Sequence, residues 1–167
     1  MVGISLLTLV PGVVGGSETY CRELLQALAK VGELDYLVFT TPLAGDLGSG
    51  LEAEHVRSYR ASTATAGRAA SMARAAFLPG PIRRELRLER LDAIHFPLMV
   101  MLPPVERPPA VTTMHDLQHE FHPRFFSRAE LAYRRFAYRR TARASRLVIA
   151  PSEYVQGTLV ERLGVEP

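Results

Sequence analysis

The chain has 167 residues, the size of one domain against about 100–200 residues per domain. Its 47% hydrophobic and 22% charged residues match ordinary globular usage and exclude disorder and collagen-like structure. Net charge is a mild +3, and the single cysteine, Cys21, excludes an internal disulfide framework and fits a reducing compartment. No apolar stretch reaches the ~18 residues of a membrane helix, because prolines and charges interrupt each candidate. The opening MVGISLLTLV has neither a basic lead-in nor an A-x-A site, so it does not read as a signal peptide. The reading is one soluble, cytoplasmic domain over 1–167.

In chain order, ISLLTLV (4–10) is a short apolar run closed by Pro11 and Gly12, the pattern of a buried strand. Cys21, Leu24, Leu25, Leu28 and Val31 then follow a helical rhythm, with Ser17 as cap and Gly32 as stop. DYLVFTT (35–41) is β-branched and aromatic and predicts a strand. A glycine-rich loop (45–50) leads to a weaker strand at HVRSY (55–59). Residues 61–78 place Ala69, Met72, Ala73, Ala76 and Phe77 on one helical face, with a mobile segment as the alternative. A charged helix (82–90) and the strand DAIHF (92–96) follow. The loop 97–109 holds five prolines and predicts a stiff surface excursion. VTTMH (111–115) and RLVIA (146–150) are strands around a long helix at 128–145. Ser152 caps a last helix with Val155, Leu159 and Leu163 on one face. Repeated strand–helix alternation predicts an α/β domain, a parallel sheet with helices on both sides.

Two loops carry chemistry. PGVVGGSE (11–18) joins a strand to a helix, and such a turn aims backbone N–H groups and the helix dipole at whatever sits in the loop, which suits a phosphate. Gly15 and Gly16 would leave that approach free of a Cβ. The pattern is neither G-x-G-x-x-G nor a Walker A loop, and a plain turn needing positive φ competes with the phosphate reading. MHDLQHEFHP (114–123) gathers His115, Asp116, His119, Glu120 and His122. His115 falls at the carboxyl end of a strand, where ligands bind in open α/β sheets, so it is the candidate for substrate contact, with Asp116 to orient its ring. The histidine spacings resemble a zinc set on a helix. Pro123 leaves little room for that helix, so no metal site is assigned, and loop-capping histidines are the plainer reading.

Arginine supplies nearly all the base, with Lys30 the lone lysine. It clusters in RRELRLER (83–90) and YRRFAYRRTARASR (133–146). Guanidinium forks grip phosphates of lipids, nucleic acids or nucleotides; a solvated helix face is the plainer reading, because acids interleave the first cluster. Over 128–145 the spacing sets Arg128, Arg135, Arg139, Arg143 and Arg146 in one stripe and Ala129, Tyr133, Phe136 and Ala144 on the buried side. Arg140 falls within that buried side, where it must snorkel out, meet an acid or hold a ligand phosphate. Cys21, on an apolar helix face, reads as packing; Ser17 and Ser49 lack the G-x-S-x-G elbow.

Taken in order, PGVVGGSETYCRELLQALAK, TTMHDLQHEFHPRFFS and SRLVIAPSEYVQGTLVERLGV resemble the N-terminal domain of glycosyltransferase family 4. The resemblance runs from about residue 2 to the end and is least distinctive over 42–90. It implies a Rossmann-like three-layer α/β/α domain with a mainly parallel sheet, the acceptor-side half of a two-domain GT-B enzyme. It further implies retaining transfer, hexosyl or mannosyl in type, from a nucleotide sugar to a hydroxyl of a sugar, lipid-linked or small-molecule acceptor. No cofactor or catalytic metal is implied. Gly15 and Gly16 would lie beside the donor diphosphate, and His115, with Asp116 completing the H-D motif, near the transferred sugar and the acceptor. Ser152 matches the serine that opens the helix after the sixth strand.

In that family most of the nucleotide-sugar site, including an E-x7-E motif, lies on a C-terminal domain. Glu153 and Glu161 have the spacing but sit on the helix after the sixth strand and are not assigned to it. The expectation is half an enzyme, inactive as residues 1–167 alone and dependent on a donor domain. It would be cytoplasmic or peripheral to a membrane met by the arginine stripe, with no nucleic-acid partner. The alternative is a free-standing Rossmann-like module that binds an anionic ligand without turnover.

Overall fold

Short runs, most of them rich in Val, Ile and Phe and each too brief for a helix, pair side by side, with the polar EAEH (52–55) at one edge. The computed structural model describes residues 1–13 and 15–166; Val14 of the glycine loop and the terminal Pro167 lie outside the described residues. Among these, β1 (Val2–Ser5), β2 (Tyr36–Thr40), β3 (Glu52–His55), β4 (Ala93–Phe96), β5 (Ala110–Thr113) and β6 (Leu147–Ile149) form one sheet in the order β3-β2-β1-β4-β5-β6. Every pairing is parallel. The connections carry α1 (Gly16–Val31), α2 (Thr65–Phe77), α3 (Gly80–Glu85), the single turn α4 (Gln118–Phe121) and α5 (Arg128–Ala144), and α6 (Glu153–Leu163) follows β6. The expected Rossmann-like α/β domain is what forms. Strand order reverses between β1 and β4, so loops leaving their carboxyl ends diverge and open a crevice there.

Alternation along the strands feeds two layers. Ile4 and Val38 pack with Cys21 and Leu25 of α1, while Leu37, Phe39, Ile94 and Phe96 join Ala75 of α2, Ile82 of α3 and Leu86 on the other face. A Cβ on Gly3 would come within 2.7 Å of Leu91 and 3.0 Å of Phe39, so the glycine is what lets Leu91 lie against β1. A third cluster joins Ala137, Tyr138 and Ala142 of α5 to Val155, Leu159 and Leu163 of α6 over Met114 and Leu117. Each large side chain buried in these clusters contributes about 1.5–3 kcal/mol. A capping box of Ser127 and Glu130 opens α5. Ser152 accepts the Val155 N–H to open α6, and Gly164 closes it at φ +68.

The elements stand where the pattern puts them, but several faces and ends differ. β1 ends at Ser5; Leu6, Leu7, Leu9 and Val10 stay buried while the Leu9 N–H turns back to the Leu6 carbonyl. An apolar run therefore spans a strand and a buried turn. Gly15, not Ser17, is the N-cap of α1, without a side-chain cap, and Val31 is 78% exposed. β3 ends at His55 rather than starting there, although Val56 and Tyr59 remain in the core. The charged helix breaks into α3 and a 3-10 turn at Leu88–Arg90, with Arg87 in the left-handed region at φ +46. α2 buries Ala75, with Met72 and Ala76 against the core, and exposes Phe77.

Two corrections matter more. The proline-rich stretch 97–109 is irregular but not superficial: Leu98, Met101, Leu102 and Val105 are buried. It does the work of the helix that covers the sheet in an ordinary crossover. On α5 the buried side is Ala137, Tyr138, Thr141 and Ala142; Ala129, Tyr133, Phe136 and Ala144 are exposed, and so is Arg140. Three of the four buried side chains are small, and the one ring, Tyr138, packs edge-on against the buried His119.

Candidate functional site

Among the described residues, six of the nine buried polar side chains gather at one end of the sheet. Ser5 closes β1, Thr40 and Thr41 close β2, His95 lies near the end of β4, and Thr112 and Thr113 close β5, all buried. These are the carboxyl ends around the strand-order reversal, where a crevice opens.

His115 leaves β5 into this crevice, half-buried. Its Nε2 lies 2.9 Å from the Pro97 carbonyl oxygen. A carbonyl only accepts, so Nε2 carries the hydrogen and, in the neutral ring, Nδ1 keeps its lone pair. The His115 backbone N–H donates to Met99 Sδ at 2.9 Å, and the Met99 N–H to the Thr113 carbonyl at 3.1 Å. Met99 makes these contacts at φ +69, a left-handed conformation that costs a side-chain-bearing residue about 1–2 kcal/mol. The loop leaving β4 is thereby pinned against the chain leaving β5, with His115 at the seam.

Tyr20, one turn along α1 from Gly16, sets its ring nearly perpendicular to the His115 imidazole, with centroids 4.8 Å apart at 76°. Its hydroxyl lies 3.3 Å from Thr113 Oγ1, and that oxygen lies 2.8 Å from His95 Nε2. Burial, with His115 alongside, pushes the His95 pKa down to about 4, so His95 is neutral at physiological pH. Three elements, α1, β4 and β5, thus meet on one threonine hydroxyl.

The glycine loop forms the other wall. Gly12 and Gly15 have φ of +73 and +57, so the turn itself requires glycine there. Gly16 has helical geometry, and a Cβ at Gly15 or Gly16 would meet no described atom within 4 Å. The Gly12 N–H is already taken: it donates to Glu18 Oε2 at 2.8 Å, and Oε1 of the same carboxylate accepts from Arg22. The Gly12 bond first, then Arg22, holds Glu18 below the usual carboxylate range.

The remaining sequence candidates scatter. Asp116 does not orient His115; it is exposed and accepts the Gln118 N–H at 3.0 Å, shaping the turn into α4. Ser152 stands at the end of β6 with its hydroxyl on the α6 cap. His119, 1% exposed, packs edge-on against Tyr138, and neither ring nitrogen has a hydrogen-bond partner among the described residues. Burial lowers its pKa, with Glu120 opposing. His122 stacks on Phe125. The histidines of the H-D-L-Q-H-E-F-H run therefore go to three different aromatic neighbours. Glu153 and Glu161 are exposed on α6. Cys21 is buried and its thiol is pushed up to about 12, which suits packing and not nucleophilic attack. Arg135 reaches Glu120 at 3.2 Å, whereas Arg139, Arg140 and Arg143 form no ion pair among the described residues.

Tyr20, His95, Met99 and Thr113 were not foreseen. His95 left one trace, an imidazole inside the apolar run AIHF; Tyr20 and Thr113, 93 residues apart, left none. No helix among the described residues is long and apolar enough to cross a membrane. A family model described as Glycosyltransferase Family 4 matches residues 14–167. No curated protein matches the chain.

Proposed function

The chain belongs to glycosyltransferase family 4, and we propose from its site that it is the acceptor-side domain of a retaining glycosyltransferase, with the nucleotide sugar held between it and a second, donor-binding domain. The observation that carries this reading is the meeting of the glycine loop and His115 at the strand-order reversal, bridged by the Tyr20 contact. The amino end of α1 offers backbone N–H groups and a positive dipole to a diphosphate without a Cβ in the way. When the anomeric C–O bond breaks, the electron pair leaves on that diphosphate, and fixed donors at the helix end stabilise the charge as it develops. His115 presents Nδ1 as an acceptor to a sugar or acceptor hydroxyl. Gly15 and Gly16 flank the diphosphate, and Asp116, in the turn after His115, and Ser152, at the opening of α6, are the outlying candidates for substrate contact. The chemistry asks for no metal or other cofactor.

Positioning two reactants supplies roughly 7–11 kcal/mol of a barrier, which half a cleft cannot provide. Residues 1–167 alone are therefore expected to melt cooperatively yet transfer no sugar. Calorimetry and product assay with a panel of nucleotide sugars test this. Transfer, or micromolar donor binding, by this stretch alone would overturn the two-domain reading; tight binding without turnover would favour a free-standing module.

A second feature supports contact with an anionic membrane surface. Between Arg128 and Arg146 stand seven arginines against one glutamate. Beside them Phe136, 59% exposed, and Arg140 line a groove of about 250 Å³ together with Met101, Leu102 and Val105. Basic residues near such a surface contribute about 1 kcal/mol each and are screened by salt. Sedimentation with phosphatidylglycerol vesicles at low salt is the test, with Arg139, Arg140 and Arg143 changed together to Gln. Wild type left in the supernatant would make the stripe ordinary solvated surface.

A further inference from the structure

We propose that Thr113, together with Tyr20 and His95, is a positioning device that fixes the His115 ring in the crevice; this rests on the reading of His115 as the substrate-contacting residue. Three observations lead to it. The Pro97 carbonyl decides which His115 nitrogen carries the hydrogen, but one hydrogen bond leaves the imidazole free to swing about it. What restrains the plane of the ring is Tyr20, standing at 76° to it. Tyr20 is in turn placed by its hydroxyl on Thr113 Oγ1.

Thr113 Oγ1 can serve Tyr20 and His95 together because a hydroxyl has one proton to give and lone pairs to receive with. With His95 neutral, two chains are consistent: Tyr20 O–H to Thr113 Oγ1 with Thr113 O–H to His95 Nε2, or His95 Nε2–H to Thr113 Oγ1 with Thr113 O–H to the Tyr20 oxygen. In either, the His95 tautomer and the threonine hydroxyl are coupled, and Tyr20 is held on the same oxygen. The alternative account, that Thr113 merely satisfies a buried imidazole, explains the 2.8 Å bond to His95 but not why Tyr20 turns its hydroxyl to the same oxygen. Tyr20 and Thr113 touch no reacting atom in this scheme; they act through His115.

The test is long-range ¹H–¹⁵N NMR of the histidine rings in the full chain. Wild-type His115 is expected as a single Nε2–H tautomer. Tyr20→Phe keeps the ring and loses the anchor. Thr113→Val keeps the branched shape and loses the junction. Both should let the ring swing off the Pro97 carbonyl, and with the bond that keeps the hydrogen on Nε2 broken part of the time the His115 signals should become an averaged tautomer pattern; Thr113→Ser should restore the single one. Should Thr113→Val fail to fold, Tyr20→Phe, whose side chain is only half-buried, carries the same prediction. His115 signals that superpose on wild type in the folded variants would overturn the proposal, as would a Thr113→Ser spectrum that stays averaged. Because this readout needs no turnover, it is separate from the role of His115: an active His115→Ala enzyme would remove that role and leave the ring geometry to stand or fall by the spectra.

Discussion

The two walls of the crevice are built in opposite ways. On the histidine wall the groups are tied to one another: His115 to Pro97 and Met99, Tyr20 to Thr113, Thr113 to His95. On the glycine wall α1 opens without a side-chain cap, and Gly15 and Gly16 look into space that no described atom fills within 4 Å. α5 and α6, which do not open on the crevice between β1 and β4, are capped by Ser127 and Ser152. The contrast teaches a division of labour. One wall is organised by a connected set of hydrogen bonds; on the other, apart from the Gly12–Glu18–Arg22 set, the opening turn of α1 has no side-chain cap.

That contrast breaks most visibly at His115. In the complete enzyme His115→Ala is expected to lower kcat by about 100-fold or more, the scale of losing one oriented polar group from a site, with an unchanged melting temperature. Wild-type kcat and kcat/KM in that variant would remove the histidine wall from the chemistry. Acid should sharpen the contrast next. His95 has a folded pKa of about 4 against 6.5 for the free side chain. Above pH 6.5 the group is neutral in both states and its full contribution stands. As pH falls from 6.5 to 4 only the unfolded chain gains the proton, so stability drops by about 3 kcal/mol. His119 is shifted the same way by burial and adds to the loss. Urea midpoints measured between pH 7 and 4 should decline, and the slope should shrink in His95→Gln.

On the glycine wall the two adjacent glycines should separate. Gly16 has ordinary helical geometry, so Gly16→Val should fold and raise the donor KM about tenfold by crowding the diphosphate. An unchanged KM would make the loop a turn and nothing more. Gly15 sits at φ +57, so Gly15→Ala should cost about 1 kcal/mol of stability whatever it does to binding, read as a lowered denaturation midpoint. The smallest effect belongs to a capped helix: Ser152→Ala, which frees the Val155 N–H, should cost about 1 kcal/mol or less. A larger loss of activity than of stability there would place Ser152 with the ligand.

What the amino-acid order revealed was whatever is settled locally. The strand leading to His115, which ends two residues before it at Thr113, the glycine turn before α1 and the serine opening α6 each depend on neighbours a few positions away. Three things were hidden for distinct reasons. Periodicity scores Tyr133 and Phe136 as buried, but the face of α5 that meets the layer beneath is Ala137, Tyr138, Thr141 and Ala142, one turn of the stripe away, because the cluster with α6 receives Tyr138 instead. Prolines in 97–109 signal surface, yet their neighbours Leu98, Met101 and Leu102 had an uncovered sheet to fill. The Tyr20–Thr113–His95 junction joins residues whose only relation is the order of the strands, which exists once the sheet has formed.

The stretch from Pro97 to Pro109 carries one more consequence. In a helix, packed side chains and bonded amides come together, and the amides open as a block. Along this crossover the Met99 N–H goes to the Thr113 carbonyl, the Met101 N–H to the Thr141 hydroxyl and the Val105 N–H to Met101 sulfur. Each bond belongs to a different neighbour, so each opens on its own terms. To a mutational scan the segment will behave as core, because Met101, Leu102 and Val105 fill space. To deuterium it will behave as loop, each amide exchanging at a rate set by one partner, so that Thr141→Val would release Met101 and leave Met99 as slow as before.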